Sequence, residues 1–95
     1  MNNIQVLHTS LNLYDPVGVG SSNNEAMGSE YYADAVEILE RFSRTRKIQI
    51  SFLYILCNVL EENYGITFDE TSDYQNDALT RIMKQVEKMG IYETN

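Results

Sequence analysis

IQISFLYILCNVLEENYGI, residues 48–66, decides whether the middle of this chain is a strand or a helix. Its first five positions alternate, with Ile48, Ile50 and Phe52 apolar against Gln49 and Ser51, as a half-buried strand would. Beyond Phe52 the alternation stops, because Leu53, Tyr54, Ile55, Leu56, Val59 and Leu60 are apolar with no period of two. The run to Tyr64 outlasts an ordinary strand. Gly65 followed by Ile66 then supplies the left-handed residue and the apolar contact that close a helix. The stretch predicts a helix over 48–64. Being apolar all round, it is expected to be the buried central element of a bundle.

Toward the C-terminus, Ser72 and Gln75 have the spacing of a capping box for a last helix, Asp73–Met89, ended by Gly90. Its inner face is Ala78, Leu79, Ile82, Met83, Val86 and Met89, and Lys84 and Lys88 sit near its C-terminus, where the helix dipole favours cations. The tail from Ile91 to Asn95 is expected to fray.

Toward the N-terminus, Arg41, Arg44, Arg46 and Lys47 close a preceding helix that runs from Glu30 to about Ser43 with Ser29 as its cap. The inner stripe of that helix is Tyr31, Tyr32, Ala35, Val36, Ile38, Leu39 and Phe42. Glu30, Asp34, Glu37, Glu40, Arg41 and Arg44 are placed on the opposite face. Glu37 with Arg41 and Glu40 with Arg44 are i,i+4 pairs in the favourable order. Gly18 to Gly28 is rich in Gly, Ser and Asn and reads as a flexible loop. Gly18-Val19-Gly20 has no following Lys-Ser/Thr and no preceding strand, so it is no phosphate loop. Asp15-Pro16-Val17-Gly18 has the residue types of a type I turn. Before it, Ile4, Leu7, His8 and Leu11 mark a first helix over 4–13 that Asn3 can cap. The expected fold is all-α: one domain, a compact antiparallel bundle of about four helices.

Composition narrows the function classes. The 95 residues hold one histidine, His8, one cysteine, Cys57, and fourteen acidic against seven basic side chains. Nucleophilic, general-base and transition-metal sites draw mostly on His or paired Cys, so the chain is expected not to be an enzyme and to need no cofactor. His8 reads as a partly buried, satisfied imidazole and Cys57 as a small buried hydrophobe. A net charge of −7 disfavours nucleic acid and anionic membrane and favours a basic protein partner. There is no apolar stretch of membrane-spanning length and no signal-peptide pattern at the start, so a cytoplasmic location is expected.

Leu13-Tyr14-Asp15-Pro16-Val17-Gly18-Val19, followed by Glu30-Tyr31 and Ala33, resembles the small bacterial helical proteins that carry an aromatic-Asp-Pro-aliphatic-Gly turn, some of them encoded beside toxins. The resemblance covers residues 11–42, with Tyr14 in place of the more usual Trp. It implies that Asp15 and Gly18 fix the path of the chain while Tyr14 and Val17 pack beneath. A second resemblance runs from Leu60 to Phe68, which looks like the end of the second helix of an acyl carrier protein. The Asp-Ser-Leu that carries the prosthetic group in that family has no counterpart in Lys47-Ile48-Gln49-Ile50-Ser51-Phe52.

One candidate site is left, the carboxylates Glu61, Glu62, Asp69, Glu70, Asp73 and Asp77 around the turn between the last two helices. Asp69 to Asp77 contains no Gly and does not fit a calcium loop. Nothing in the sequence sets two of these groups at an acid–base separation. Asp69 to Asp73 suit a helix N-terminus, but Glu61 and Glu62 lie near a helix C-terminus, where the dipole disfavours acids. These six residues are therefore expected to bind a partner. The function expected is an immunity protein or inhibitor of a nuclease toxin, its acidic surface standing in for phosphate. The alternative is a small regulatory protein of a phage or mobile element, or a degenerate acyl-carrier-like module.

Overall fold

The computed structural model describes residues 2–18 and 25–92, with side chains in the second span from Tyr31 onward. These residues form four helices and no strand: α1 Asn3–Tyr14, α2 Glu25–Phe42, α3 Gln49–Tyr64 and α4 Asp73–Glu87. α1 packs against both α2 and α4, and α2 packs also against α3. The C-terminus of α1 meets Tyr31 of α2 and Tyr74 of α4, while Phe42 at the end of α2 meets Phe52 near the start of α3. Successive helices therefore run antiparallel, as expected.

Local signals account for most helix ends. α1 is capped by Asn2, one residue earlier than Asn3, in a full capping box with Gln5: Gln5 N–H donates to Asn2 Oδ1 at 2.8 Å and Asn2 N–H to Gln5 Oε1 at 2.9 Å. Gly65 closes α3 at φ 66° and ψ 32°, its N–H donating to the Glu61 carbonyl at 2.9 Å. At α4 only half of the expected box forms. Ser72 Oγ accepts from Gln75 N–H at 3.3 Å, but the Gln75 amide oxygen accepts from Asp69 N–H, at 2.8 Å, and so ties down the preceding turn.

Several expectations need correction. α2 starts at Glu25, so Glu25–Gly28 belong to the helix and Ser29 lies within it rather than capping it. Glu25, Ala26 and Met27 are adequate helix formers, and a single Gly28 costs only about 1 kcal/mol. Residues 19–24 of the expected loop lie outside the described residues. The tail does not fray at Ile91 and Tyr92. Gly90, at φ 68°, turns the chain back, and Tyr92 is buried against Phe42 and Phe52 with its hydroxyl donating to the Met83 carbonyl at 3.3 Å. Residues 93–95 lie outside the description.

The core joins Leu7 and Leu11 of α1, Tyr31, Ala35, Ile38 and Phe42 of α2, Phe52, Leu56, Val59 and Leu60 of α3, and Ile82 and Val86 of α4. α3 is not a central element buried on all sides: its outer face leaves Ile50 and Tyr54 about two-thirds exposed, at 66% and 68%. α2 is rotated from the expected stripe. Asp34 points inward and is 3% exposed, whereas Tyr32 and Val36 point out. Tyr31, Asp34, Ile38 and Phe42 share one helical face, and the inward turn is tolerable because the neighbouring α3 supplies donors to the carboxylate.

Candidate functional site

The six nominated carboxylates gather at the end of the bundle where α3 gives way to α4, but they are not equivalent. Glu61 is half-buried, and its Oε2 accepts from Phe68 N–H at 2.9 Å, so it holds the α3–α4 turn. This corrects the reading of Glu61 as a misplaced surface acid. A carboxylate near a helix C-terminus is acceptable when it satisfies a donor in the turn that follows. Glu62 accepts from Arg41 at 3.1 Å, and the same guanidinium binds Glu37 at 2.6 Å. Asp69 Oδ1 accepts from both the Thr71 amide and the Thr71 hydroxyl at 2.8 Å, and these bonds hold its carboxyl below the usual carboxylate range. Asp77 binds Arg81 at 2.9 Å. Glu70 and Asp73 are exposed and have no cation partner among the described residues.

Arg41 also joins two acidic surfaces that the sequence presents as separate. Through it Glu37 on α2 and Glu62 on α3 lie side by side, and the Asn63 amide spans Asp34 at 2.7 Å and Glu37 at 3.2 Å. The pair Glu40–Arg44 forms as expected, at 2.9 Å. The Glu30 side chain lies outside the described residues.

The sequence reading missed a polar network beneath this surface. Asp34 accepts from the Tyr64 hydroxyl at 2.6 Å and from Asn63, so both carboxylate oxygens are used. The Tyr31 ring lies 5.9 Å from that of Tyr64, and its hydroxyl donates to Asp15 Oδ1 at 2.7 Å while accepting from Val17 N–H at 3.2 Å. Burial and the Asp15 bond push the Tyr31 phenol far above its ordinary range. The available signal was the position of Asp34 three residues after Tyr31, on the apolar stripe rather than opposite it.

Asp15-Pro16-Val17-Gly18 is the turn expected, with Gly18 N–H donating to the Asp15 carbonyl at 3.1 Å and to its carboxylate at 3.2 Å. Asp15 itself is the left-handed cap of α1, at φ 45°. Tyr74 donates its hydroxyl to the Asp15 carbonyl at 2.6 Å, so elements from three parts of the chain fix this turn. Pro16 is buried, and Tyr14 and Val17 pack against the core. The turn positions the acidic end of the bundle and presents no reactive group of its own.

His8 is half-buried, stacked on Tyr32 with ring centroids 5.3 Å apart and within 3.1 Å of the Asn12 amide, as a satisfied imidazole should be. Cys57 is only partly buried, not fully as expected; burial and nearby Glu61 push its thiol up to about 11. Among the described residues, no group of three or more His, Cys, Asp or Glu side chains is placed to hold a metal ion, and no helix is long and apolar enough to cross a membrane.

The described charges are spread unevenly along the bundle, with Arg41 and Arg81 paired to acids of one end and Glu40 and Glu87 lying at the other. Glu62, Asp69, Glu70, Asp73 and Asp77 lie at the α3–α4 turn. Arg44, Arg46 and Lys47 lie at the α2–α3 turn, and Lys84 and Lys88 lie toward the end of α4. Lys47 is held there by three carbonyls, those of Phe42, Ser43 and Thr45, at 2.8 to 3.0 Å. The site is thus an acidic pole built on an ordered turn, with Glu70 and Asp73 its unpaired members and Glu62 at its edge. Comparison with known protein families, curated proteins and solved structures finds no match to this chain, so the reading of the pole rests on its own geometry.

Proposed function

We propose that the chain is a non-catalytic acidic binding protein that neutralises a basic partner in the cytoplasm, most concretely an immunity protein that blocks a nuclease toxin. The observation that carries this reading is the acidic pole, where Glu70 and Asp73 stand exposed without a cation beside a turn rigidly held by Glu61, Asp69 and Gln75. Carboxylates fixed on a preorganised turn present negative charge at little further ordering cost, which suits mimicry of phosphates in a basic nuclease cleft. The remaining nominated groups contribute through the turn and the field: Glu62 and Asp77 are already partly neutralised by arginines, and Glu61 is spent on Phe68.

The double reversal Glu70→Lys/Asp73→Lys tests this. Both side chains are exposed, so the helical fold should persist by circular dichroism, at a cost of about 1 kcal/mol where Asp73→Lys puts a cation in the first turn of α4. Capture of the basic partner and inhibition of its nuclease activity should fall at least about a hundredfold, since like charges then meet across the interface. Equal inhibition by wild type and variant at matched ionic strength overturns the assignment of the pole.

A further inference from the structure

We propose that Gly90–Tyr92, the segment after α4, is a releasable clasp that closes the seam between α3 and α4. The clasp is independent of the acidic turn, which lies at the opposite end of these two helices. α2 packs on α3, α1 on α2 and α4 on α1, so α3 and α4 are the two edges of the array. A groove separates them, with Gln49 and Leu53 of α3 on one side and Leu79, Met83 and Lys84 of α4 on the other. At one end the chain itself closes this seam, through the turn that Glu61 and Gln75 hold. At the other end Tyr92 bridges it. Its ring lies 6.5 Å from that of Phe42 and 6.1 Å from that of Phe52, between centroids, and its hydroxyl donates to the Met83 carbonyl at 3.3 Å. One side chain thereby joins the end of α2, the start of α3 and the second half of α4.

The segment is attached by side chains alone. Gly90, at φ 68°, takes the last main-chain bond, to the Glu87 carbonyl at 3.1 Å. Among the described residues neither Ile91 nor Tyr92 makes a main-chain hydrogen bond. Ile91 packs partly buried beside Leu39 and Phe42. Release therefore undoes no hydrogen-bonded ladder. It is opposed by the burial of two side chains and by one hydroxyl bond longer than an ordinary O–H···O bond. Because one ring makes the bridge, its loss separates two discrete states, closed and open. Segments held in this way open at lower free energy than the whole fold. Release uncovers Phe42 and Phe52 and lets the start of α3 part from the end of α4, while α3 stays on α2 and α4 stays on α1.

Spin labels on the full chain measure the width of the seam. In a Cys57→Ser background they are placed at Gln49→Cys and Lys84→Cys, exposed positions on its two sides, and their separation is read by pulsed electron spin resonance. With Tyr92 present, one short distance is expected in buffer. A second, longer distance should grow in at urea concentrations below those at which circular dichroism falls. Tyr92→Ala should raise the ratio of open to closed at least about tenfold without urea while the helices persist, since the buried ring is what favours the closed state. The wild-type distance in a helical Tyr92→Ala chain overturns the clasp. If Tyr92→Ala does not fold, the urea series on the chain with Tyr92 decides: a separation that changes only together with helicity makes Tyr92 an ordinary core residue and overturns the clasp as well.

Discussion

A carboxylate at a core-facing position of α2 is acceptable only because α3 brings two donors to it. The Tyr64 hydroxyl and the Asn63 amide take one oxygen of Asp34 each, at 2.6 and 2.7 Å. Removing the carboxylate takes this acceptor from the Tyr64 hydroxyl, leaves Asn63 only its longer bond to Glu37 at 3.2 Å, and opens a small void. Asp34→Ala is therefore expected to lower the unfolding free energy by about 1–3 kcal/mol in urea titration. The companion Tyr64→Phe should also destabilise. The double variant should lose less than the sum of the two, because the bond between the two groups is already lost in either single variant. Strict additivity would show that Asp34 and Tyr64 are not one unit. The position of Asp34 on the Tyr31–Ile38 face was legible in the sequence, but its acceptance there was not, since the donors lie some thirty residues away.

Among the elements, α3 shows most directly how a local signal sets a boundary. Gly65 takes a left-handed conformation, φ 66°, and no atom lies within 4 Å of where a β-carbon would stand. Gly65→Ala thus meets no clash, and its cost is conformational alone, roughly 1–2 kcal/mol by thermal or urea unfolding. A loss well above this range would mean that the α3–α4 turn, with its Glu61–Phe68 and Asp69–Gln75 bonds, shifts as well. The rotation of α3 about its own axis is a different matter. A helix apolar on every side reads as central, yet the packing of α2 against one flank commits Phe52, Leu56, Val59 and Leu60 inward and leaves Ile50 and Tyr54 outside. The end of α4 behaves similarly. Ile91 and Tyr92 look like a polar-flanked tail, but Gly90 returns Tyr92 to a pocket of Phe42 and Phe52 whose apolar surface outweighs the entropy of ordering two residues.

At the scale of the whole molecule, tyrosines set the alkaline limit of stability. Burial raises the phenols of Tyr31, Tyr74 and Tyr92, and for Tyr31 the bond to Asp15 adds to it. In the unfolded chain these groups ionise near the ordinary value of about 10. Below that pH they are neutral in both states and their contribution to stability is complete. Above it the unfolded chain loses protons first, so stability falls as pH rises. The urea midpoint should decline from about pH 10 upward. Near-ultraviolet phenolate absorbance should show Tyr31 ionising only as helicity is lost. Complete phenolate formation with the helices intact would contradict this assignment. The same scale governs the acidic surface: Glu37 and Glu62 are distant in sequence, and only the folded bundle sets both on the guanidinium of Arg41.

The sequence by itself determined the helical class, the number of helices and most of their ends. Those features depend on caps, glycines and apolar periodicity, which act within four or five residues along the chain. It also marked the Asp15-Pro16-Val17-Gly18 turn and the Glu37–Arg41 and Glu40–Arg44 pairs, again local chemistry. Only the tertiary structure decided which face of each helix turns inward, that Asp34 is buried, that Tyr92 belongs to the core, and which acids remain available. Glu61 and Asp69 were indistinguishable by charge from Glu70 and Asp73, yet the first two are committed to the turn and the last two face water. A carboxylate's availability depends on the donors that folding places within 3 Å of it, and those donors are fixed by packing rather than by composition.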